Sequence, residues 1–393
     1  MATNNRNFVS LFCGCGGFDA GFIDAGFQCA GAFDIDRTVL EVHSRNLKSQ
    51  VYQHDLSACS LPANNFRNID VLLAGSPCQG FSTIGKRKLH DPRNSLLLIA
   101  GQIARRYKPK VVVAENVPGV MSGKHRNYWD QLHTILRDDG YHTTDLRACG
   151  TDMGLAQRRT RVFLVAWKGK DVTLSLHKAP ELTLNDALTG LDNVANHDPI
   201  YLPKSSIHYK IAIKIKQNQK LSNVRSGLRN IHTWDIPEVY GRTTLKERET
   251  LEEILRLRRQ RRVRDYGDAD PVPTELLSKK FGSSTIISLE KKGYLRRIDN
   301  CHDLVGAFNG KYRRLSWDKP SYTVDTRFGD PKYFLHPCEH RGFTVREAAR
   351  IQGFSDSFIF HGTMAEQFRM VGNAVPPPMA YSVANIICGE LLG

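Results

Sequence analysis

Short apolar runs separated by longer amphipathic stretches organise the first half of the chain. Phe8-Val-Ser-Leu-Phe12 ends in a glycine cluster, and Cys29-Ala-Gly-Ala-Phe-Asp34 ends in an acid. Val51-Tyr-Gln-His-Asp55, Asp70-Val-Leu-Leu-Ala-Gly75 and Val111-Val-Val-Ala-Glu115 repeat the pattern. Runs of this length and composition suit strands buried on both faces. Helical periodicity fills the gaps at 37–46, 95–107 and 128–138. Alternation of strand and helix predicts an α/β fold with a mostly parallel, doubly wound sheet. Residues 142–147 and 161–167 read as two closing strands, close enough to pair as a hairpin.

Open sheets of this kind bind ligands outside the carboxyl ends of their strands. That rule gathers 13–18, 34–36, Asp55, 76–82 and 115–117 on one rim, where glycines and polar residues concentrate. The cluster Gly14-Cys-Gly16-Gly17-Phe-Asp-Ala-Gly21 allows close backbone approach to a ligand. Asp19 stands at the third glycine position of G-x-G-x-x-G, which weakens a dinucleotide dehydrogenase reading. Asp34 suits ribose hydroxyls and Asp55 an exocyclic amine, although each also suits a helix N-cap. Cys78 follows Pro77 in a Gly/Ser loop at a strand end and is a candidate nucleophile, provided its thiolate is stabilised. The other cysteines read as small buried side chains, with Cys13 and Cys15 leaving weak metal binding open. Glu115, directly after an apolar strand, needs a partner or a function. Arg158, Arg159 and Arg161 suit anion or base-edge contacts, or a solvated basic turn.

From about 185 to 335 the composition turns basic and polar. In 208–216, Tyr209, Ile211, Ile213 and Ile215 alternate with polar residues, which predicts a strand with a basic outer face. Thr244-Leu-Lys-Glu247 is a capping box opening a helix. That helix has acids early and arginines late, including Arg256, Arg258, Arg259, Arg261 and Arg262. This order complements a helix dipole, yet so dense a stripe favours a phosphate partner. Residues 274–281, Gly282 and 283–292 suggest a helix–turn–helix, although Ser288 falls where an apolar core residue is usual. Ser284, Thr285 and Lys291 are then the expected major-groove contacts.

Composition narrows the function class. The chain has 393 residues and a net charge of +15, with a mean hydropathy of −0.38. That is globular composition with room for two domains, and the charge favours a polyanionic partner. No apolar run approaches a membrane span of roughly 18 residues, and the polar start lacks a signal peptide's core. Nine cysteines without a C-x-x-C pair argue against a disulfide framework or zinc ribbon, and for a reducing cytoplasm.

Six segments in order resemble the cytosine-C5 DNA methyltransferases: Phe12-Cys-Gly-Cys-Gly-Gly-Phe18, Pro77-Cys78-Gln79, Glu115-Asn116-Val117, Gln157-Arg-Arg-Thr-Arg161, 314–324 and Gly372-Asn-Ala-Val-Pro376. Ser10 departs from the pattern, standing where many members carry Asp. The resemblance implies a class I S-adenosylmethionine-dependent methyltransferase fold, Rossmann-like, with a seven-stranded sheet and a smaller mixed target-recognition domain. Its expected division is a catalytic domain at 1–182, target recognition at 183–335, and a segment at 336–393 folding back onto the first. Phe12, Cys13, Gly14, Gly16, Gly17, Phe18, Asp34, Ile35, Asp55, Leu56, Pro77, Asn373 and Val375 are implied to hold S-adenosylmethionine, with S-adenosylhomocysteine as product and no metal. Cys78 is the implied nucleophile towards C6 of a flipped-out cytosine, Glu115 the partner of N3, and Arg159 and Arg161 the contacts to O2 and nearby phosphates. Gln79, Ser82, Lys86, Arg87 and Lys88 belong to a loop expected to close over that base. Double-stranded DNA is the implied partner, and the chain is expected to act as a cytoplasmic, nucleoid-associated monomer beside a separate restriction endonuclease. A transfer-RNA methyltransferase and an inactive DNA-binding regulator are the alternatives. The large basic middle region opposes the first, and intact Cys78, Glu115 and Arg161 oppose the second.

Overall fold

A computed structural model describes residues 6–62, 66, 68–77, 92–263, 269–306 and 308–393. Two compact units form: 1–197 with 318–326 and 345–393, and 198–317 with 327–344.

The first unit is built on seven strands: β1 (Asn7–Leu11), β2 (Gln28–Asp34), β3 (Val51–Gln53), β4 (Val71–Ala74), β5 (Val111–Asn116), β6 (His142–Cys149) and β8 (Thr160–Trp167), with the two-residue β7 (Gln157–Arg158) outside that sheet. Their order is β3-β2-β1-β4-β5-β8-β6. The first five run parallel, and β8 pairs antiparallel with both β5 and β6. The expected hairpin of closing strands is therefore present, with β8 inserted beside β5. Strand order reverses between β1 and β4, and at such a switch point the flanking loops diverge and leave a crevice.

Period-two alternation puts opposite sets of residues on the two faces. Val9, Leu11, Leu72, Ala74, Val112 and Ala114 pack against α3 (Leu96–Tyr107) and α4 (Arg126–Asp138). The intervening Phe8, Val71, Leu73, Val111 and Val113 pack with Phe18 and Phe22 of α1 (Gly17–Asp24). Met379, Ala380 and Val383 of the Pro377–Ile386 helix join that second cluster, so the end of the chain completes the core begun at its start. No helix among the described residues is long and apolar enough to cross a membrane.

In the second unit, the capping box forms as the sequence predicts. Thr244 N–H donates to Glu247 Oε2 at 2.7 Å, Glu247 N–H donates to Thr244 Oγ1 at 3.2 Å, and a helix runs Leu245–Gln260. The strand predicted over 208–216 is instead a helix, Ile207–Ala212, capped by Ser206. The alternating isoleucines satisfy both periods, but burial follows the helical one. Ile211 and Ile215 are buried at i, i+4, while Ile213 is 45% exposed.

Candidate active site

At the β1–β4 switch point lies a cavity of about 340 Å³. Five strand-end segments line it, including Phe12, Cys13, Gly14, Gly17, Phe18, Asp34, Ile35, Asp55, Leu56, Pro77 and Glu115. Arg161, Asn373 and Val375 complete the set drawn from the sequence. Gly16 does not line the cavity, and it works by conformation. At φ 98° it turns the chain into α1, and an added Cβ there would press on His43 and Leu47. A Cβ on Gly17 would lie 2.4 Å from the carbonyl oxygen of Val375, so this glycine is what lets the C-terminal segment close one wall. Phe12 holds a left-handed φ of 55°, a strained conformation for a residue with a side chain, at the point where β1 opens into the cavity.

Asp34 faces the glycine loop. Its Oδ2 accepts from Gly14 N–H and its Oδ1 from Asp36 N–H, both at 3.0 Å. Burial pushes its carboxyl above the usual range, and the two N–H donors offset part of that rise. Asp55 is exposed and caps a single turn by accepting from Ser57 N–H at 2.9 Å, which holds its carboxyl below the usual range. It therefore serves as an N-cap and as a cavity wall together. Behind the loop, Ser10 Oγ donates to Asp19 Oδ1 at 2.6 Å, and His43 Nε2 meets Asp19 Oδ2 at 2.7 Å, all three fully buried. Ser10 is thus tied to a carboxylate from the first turn of α1 that lies behind the loop and outside the cavity lining. Cys13 and Cys15 are buried free thiols. Burial raises both, Cys15 to about 12, so neither is poised as a nucleophile.

Glu115 and Arg161 meet on the opposite wall. The antiparallel register pairs Glu115 with Phe163, so Arg161 lies diagonally across on the same face. Arg161 Nε is 2.7 Å from Glu115 Oε1, with both side chains about one-tenth exposed. Burial pushes the Glu115 carboxyl up, with Arg161 and then Arg159 opposing the rise. The net result is a carboxyl that keeps a proton more readily than an ordinary glutamate.

Arg159 departs from its expected place at the substrate. It is 1% exposed, and its guanidinium donates to the carbonyls of Val324 (2.9 Å), Gly372 (3.1 Å) and Ala374 (2.9 Å). Gln157 works beside it, donating to Ile351 O and accepting from Val324 N–H. The first half of the Gln157–Arg161 motif is therefore a latch joining distant segments, and Arg161 alone reaches the cavity. Cys78, Gln79, Ser82, Lys86, Arg87 and Lys88 lie outside the described residues; Pro77, which precedes them, lines the cavity.

Several cavity residues carry no local signal in the sequence. Arg369 lies 333 positions from Asp36, yet its Nη2 is 2.9 Å from Asp36 Oδ2. Val39 and Met370 likewise reach the cavity only through folding, whereas Ser76 and Val117 belong to rim segments expected from the sequence.

The expected DNA contacts of the second unit divide in two. Arg259, Arg261, Arg262, Ser284 and Lys291 are exposed, as is Arg256, which pairs with Glu253 at 2.7 Å. Arg258 is buried, with Nε 2.5 Å from Asp303, and it braces the unit from within. Thr285 is also buried and donates to Phe281 O at 2.9 Å, so it cannot reach a base edge. Ser288, anomalous for a helix–turn–helix core, donates to buried Glu247 at 2.7 Å, where Lys292 also binds. Among the described residues, His336, Cys338 and Glu339 could together hold a cation, although Arg341 already pairs with Glu339.

The cavity's donor set has a clear preference. Of its four carboxylates, Glu115 and Asp36 engage Arg161 and Arg369, which leaves Asp34 and Asp55 beside apolar walls and a glycine loop. Such a lining disfavours a pyrophosphate and fits an adenosine carrying a cationic sulfonium. The model of the C-5 cytosine-specific DNA methylases matches residues 6–388. The chain belongs to that family. Its members transfer a methyl group from S-adenosylmethionine to C5 of cytosine in DNA, and the cavity residues suit that donor. The chain is similar to the type II methyltransferase M.XorII of Xanthomonas oryzae, at 30% identity over 98% of this chain and 84% of the relative. It is similar also to M.HgiCII of Herpetosiphon aurantiacus, at 28% identity over 98% and 97%. In fold it resembles the methyltransferase EhMeth of Entamoeba histolytica, with a TM-score of 0.59, 16% identity and 99% of each chain covered.

Proposed function

We propose that this methyltransferase modifies one cytosine within a short, specific double-stranded DNA sequence, through a covalent Cys78–C6 adduct. The observation that carries the reading is the Arg161–Glu115 pair, set in the wall of the same cavity as Asp34, Asp55 and the glycine loop. Carbon 5 of cytosine is a poor nucleophile on its own. Attack of the Cys78 thiolate on C6 makes C5 an enamine carbon. The Glu115 carboxyl, inclined to keep its proton, donates to N3 as negative charge develops there. Arg161 orients Glu115 and presents positive charge towards O2. S-adenosylmethionine, when bound, supplies the electrophilic methyl group and becomes S-adenosylhomocysteine. A water or hydroxide takes the C5 proton, the C5–H electrons re-form the C5–C6 double bond as the Cys78 thiolate leaves, and N3 returns its proton to the Glu115 carboxylate.

The target base must leave the helix to be reached from both faces. The second unit, with its exposed arginines, supplies target recognition. The likeness to type II methyltransferases supports a role protecting host DNA beside a separate restriction endonuclease, in restriction-modification or phage defence.

Bisulfite sequencing of DNA from a host expressing the chain tests the reading. Methylation at one short motif, lost in Cys78→Ala, is the expected result. No 5-methylcytosine in DNA overturns it, and 5-methylcytosine confined to RNA moves the assignment to the transfer-RNA alternative.

A further inference from the structure

The second unit contains an arrangement larger than a helix–turn–helix. Along the chain come the Leu245–Gln260 helix, a short strand Val272–Pro273, the helices Thr274–Phe281 and Ser283–Lys291, and strands Leu295–Ile298 and Cys301–Leu304. The last strand lies between the other two and is antiparallel to both. One core, including Leu251, Ile254, Leu277, Ile286, Leu289 and Leu304, holds all of them together. Gly282 alone links the two short helices, at φ 84°. Asp299, at φ 51°, helps turn the final hairpin, with Ile298 paired to Cys301. Helix, strand, helix, helix and a two-stranded wing make a winged helix. In such a module the helix before the wing is free to enter a major groove, and the wing reaches the neighbouring backbone.

Burial decides which face is free. Thr285, Ile286 and Leu289 point inward, and Ser284, Ile287 and Lys291 share the opposite face at i, i+3 and i+7. Ile287 is 51% exposed, an apolar side chain between a hydroxyl and a cation on an otherwise polar surface. Glu290 lies to one flank, 3.5 Å from His302, and Ser288 to the other, bonded to Glu247. On the wing, Arg297 is exposed, and its Nε donates to Asp299 O at 3.3 Å.

We propose that Ser284, Ile287 and Lys291 read base edges in the major groove, that Ile287 selects a thymine by packing on its 5-methyl group, and that Arg297 holds the adjoining phosphate. The occupant is duplex DNA because the face joins a cation to an apolar contact, with further cationic charge on the wing. Thymine is also the one base that presents a methyl group in that groove. The assignment rests on the DNA-methylating activity proposed above and names the residues that give it specificity.

The test uses the full-length enzyme and duplexes carrying the motif mapped by bisulfite sequencing. Each thymine in and beside the motif is replaced singly by deoxyuridine, which removes only the 5-methyl group. Wild type should lose about fourfold in kcat/KM at one such position, the worth of one buried methyl. Ile287→Ala should lose a similar factor on the thymine duplex and become indifferent to that replacement. Because Ile287 is exposed, the variant should keep the wild-type melting temperature and cofactor affinity. Arg297→Ala should weaken binding equally for thymine and deoxyuridine duplexes. A wild-type enzyme indifferent to every replacement, a motif and flanks without thymine, or an Ile287→Ala variant that still discriminates overturns the assignment. So does an Ile287→Ala variant that changes only self-association or protein binding. These outcomes require an active enzyme, whereas complete absence of 5-methylcytosine overturns the activity reading itself.

Discussion

Arg161 Nε lies 2.7 Å from Glu115 Oε1 across two antiparallel strands, with both side chains nearly buried. An exposed pair of this kind would contribute little, but here burial and the guanidinium pull the carboxyl in opposite directions and burial prevails.

The first prediction concerns pH. Because the Glu115 pKa is raised, the protonated form persists above the ordinary carboxylate range, and donation to N3 fails as pH rises through the raised value. Single-turnover methylation should therefore show an alkaline limb due to Glu115. Glu115→Gln should lose roughly 10²–10⁴-fold in rate and abolish that limb, since an amide does not titrate. Arg161→Ala should move the limb to higher pH, because the guanidinium that lowers the Glu115 pKa is gone. A limb unchanged in both variants would remove Glu115 from the proton transfer.

Arg159 and Arg161 are two residues apart on the chain and should fail differently. Arg159→Ala strands three buried carbonyls, at about 1–3 kcal/mol for each group left unpaired. Its expected signature is a fall in Tm of several degrees with weakened cofactor binding. Arg161→Ala should reduce kcat by about 10²-fold with a smaller change in Tm. Thermal melts beside single-turnover rates separate the two, and equal Tm losses would contradict the division of labour.

Gly17→Ala places a Cβ 2.4 Å from the Val375 carbonyl oxygen, a backbone contact that no side-chain rotation relieves, with side-chain carbons of Phe354 and Ala374 at 3.0 and 3.1 Å. The C-terminal segment must shift, so S-adenosylmethionine affinity should drop more than tenfold while stability falls by about 1–3 kcal/mol. Isothermal titration with the cofactor checks this, and an unchanged Kd would show that the wall tolerates the displacement.

Glu247 carries a second pH dependence, of opposite sign. Burial raises its pKa, but hydrogen bonds from Lys292, Thr244 and Ser288 together outweigh burial and hold it at about 2. A depressed folded-state value stabilises the fold above the ordinary glutamate pKa of about 4.5 and is lost as pH falls through about 2. Glu247→Ala should cost roughly 3 kcal/mol, chiefly by leaving Lys292 without its acid and Ser288 without its acceptor in the winged helix. Urea melts of both proteins between pH 7 and pH 3 should converge, and parallel curves would discount the network.

The arginines of 256–262 should separate by salt dependence. Arg261→Ala with Arg262→Ala should make the slope of log affinity against log salt less negative by about 0.9 for each phosphate that is no longer neutralised. Arg258→Ala should instead destabilise the unit, since it leaves Asp303 buried without that partner. Fluorescence anisotropy over a salt series distinguishes these effects, and an unchanged slope in the double variant would place the phosphate-binding charges elsewhere.

Much of the site is legible without the structure because its elements are local in sequence. Each apolar run ends in the residue that reaches the cavity, as Phe12, Asp34 and Glu115 do, since a parallel strand delivers its last side chains to one rim. The capping box at Thr244 is equally local, a contact across three residues. Alternation misleads at 208–216, where isoleucines two apart fit a strand and a helix alike. Ser206 and the burial of Ile211 and Ile215 decide for the helix.

The sequence by itself determined the order of strands and helices, the rim on which chemistry collects, and the family, because hydrophobic period and motif order survive without knowledge of contacts. Only the tertiary structure decided which charges act outward. Arg159 and Arg258 look like their neighbours in the chain, yet backbone carbonyls or acids from remote segments fold over them, while Thr285 is turned inward and bonds Phe281 O four residues back. Arg161, Arg261 and Ile287 are left facing a cavity or solvent. The physical reason is that a polar side chain taken out of water must find partners, and those partners lie up to 215 positions away along the chain.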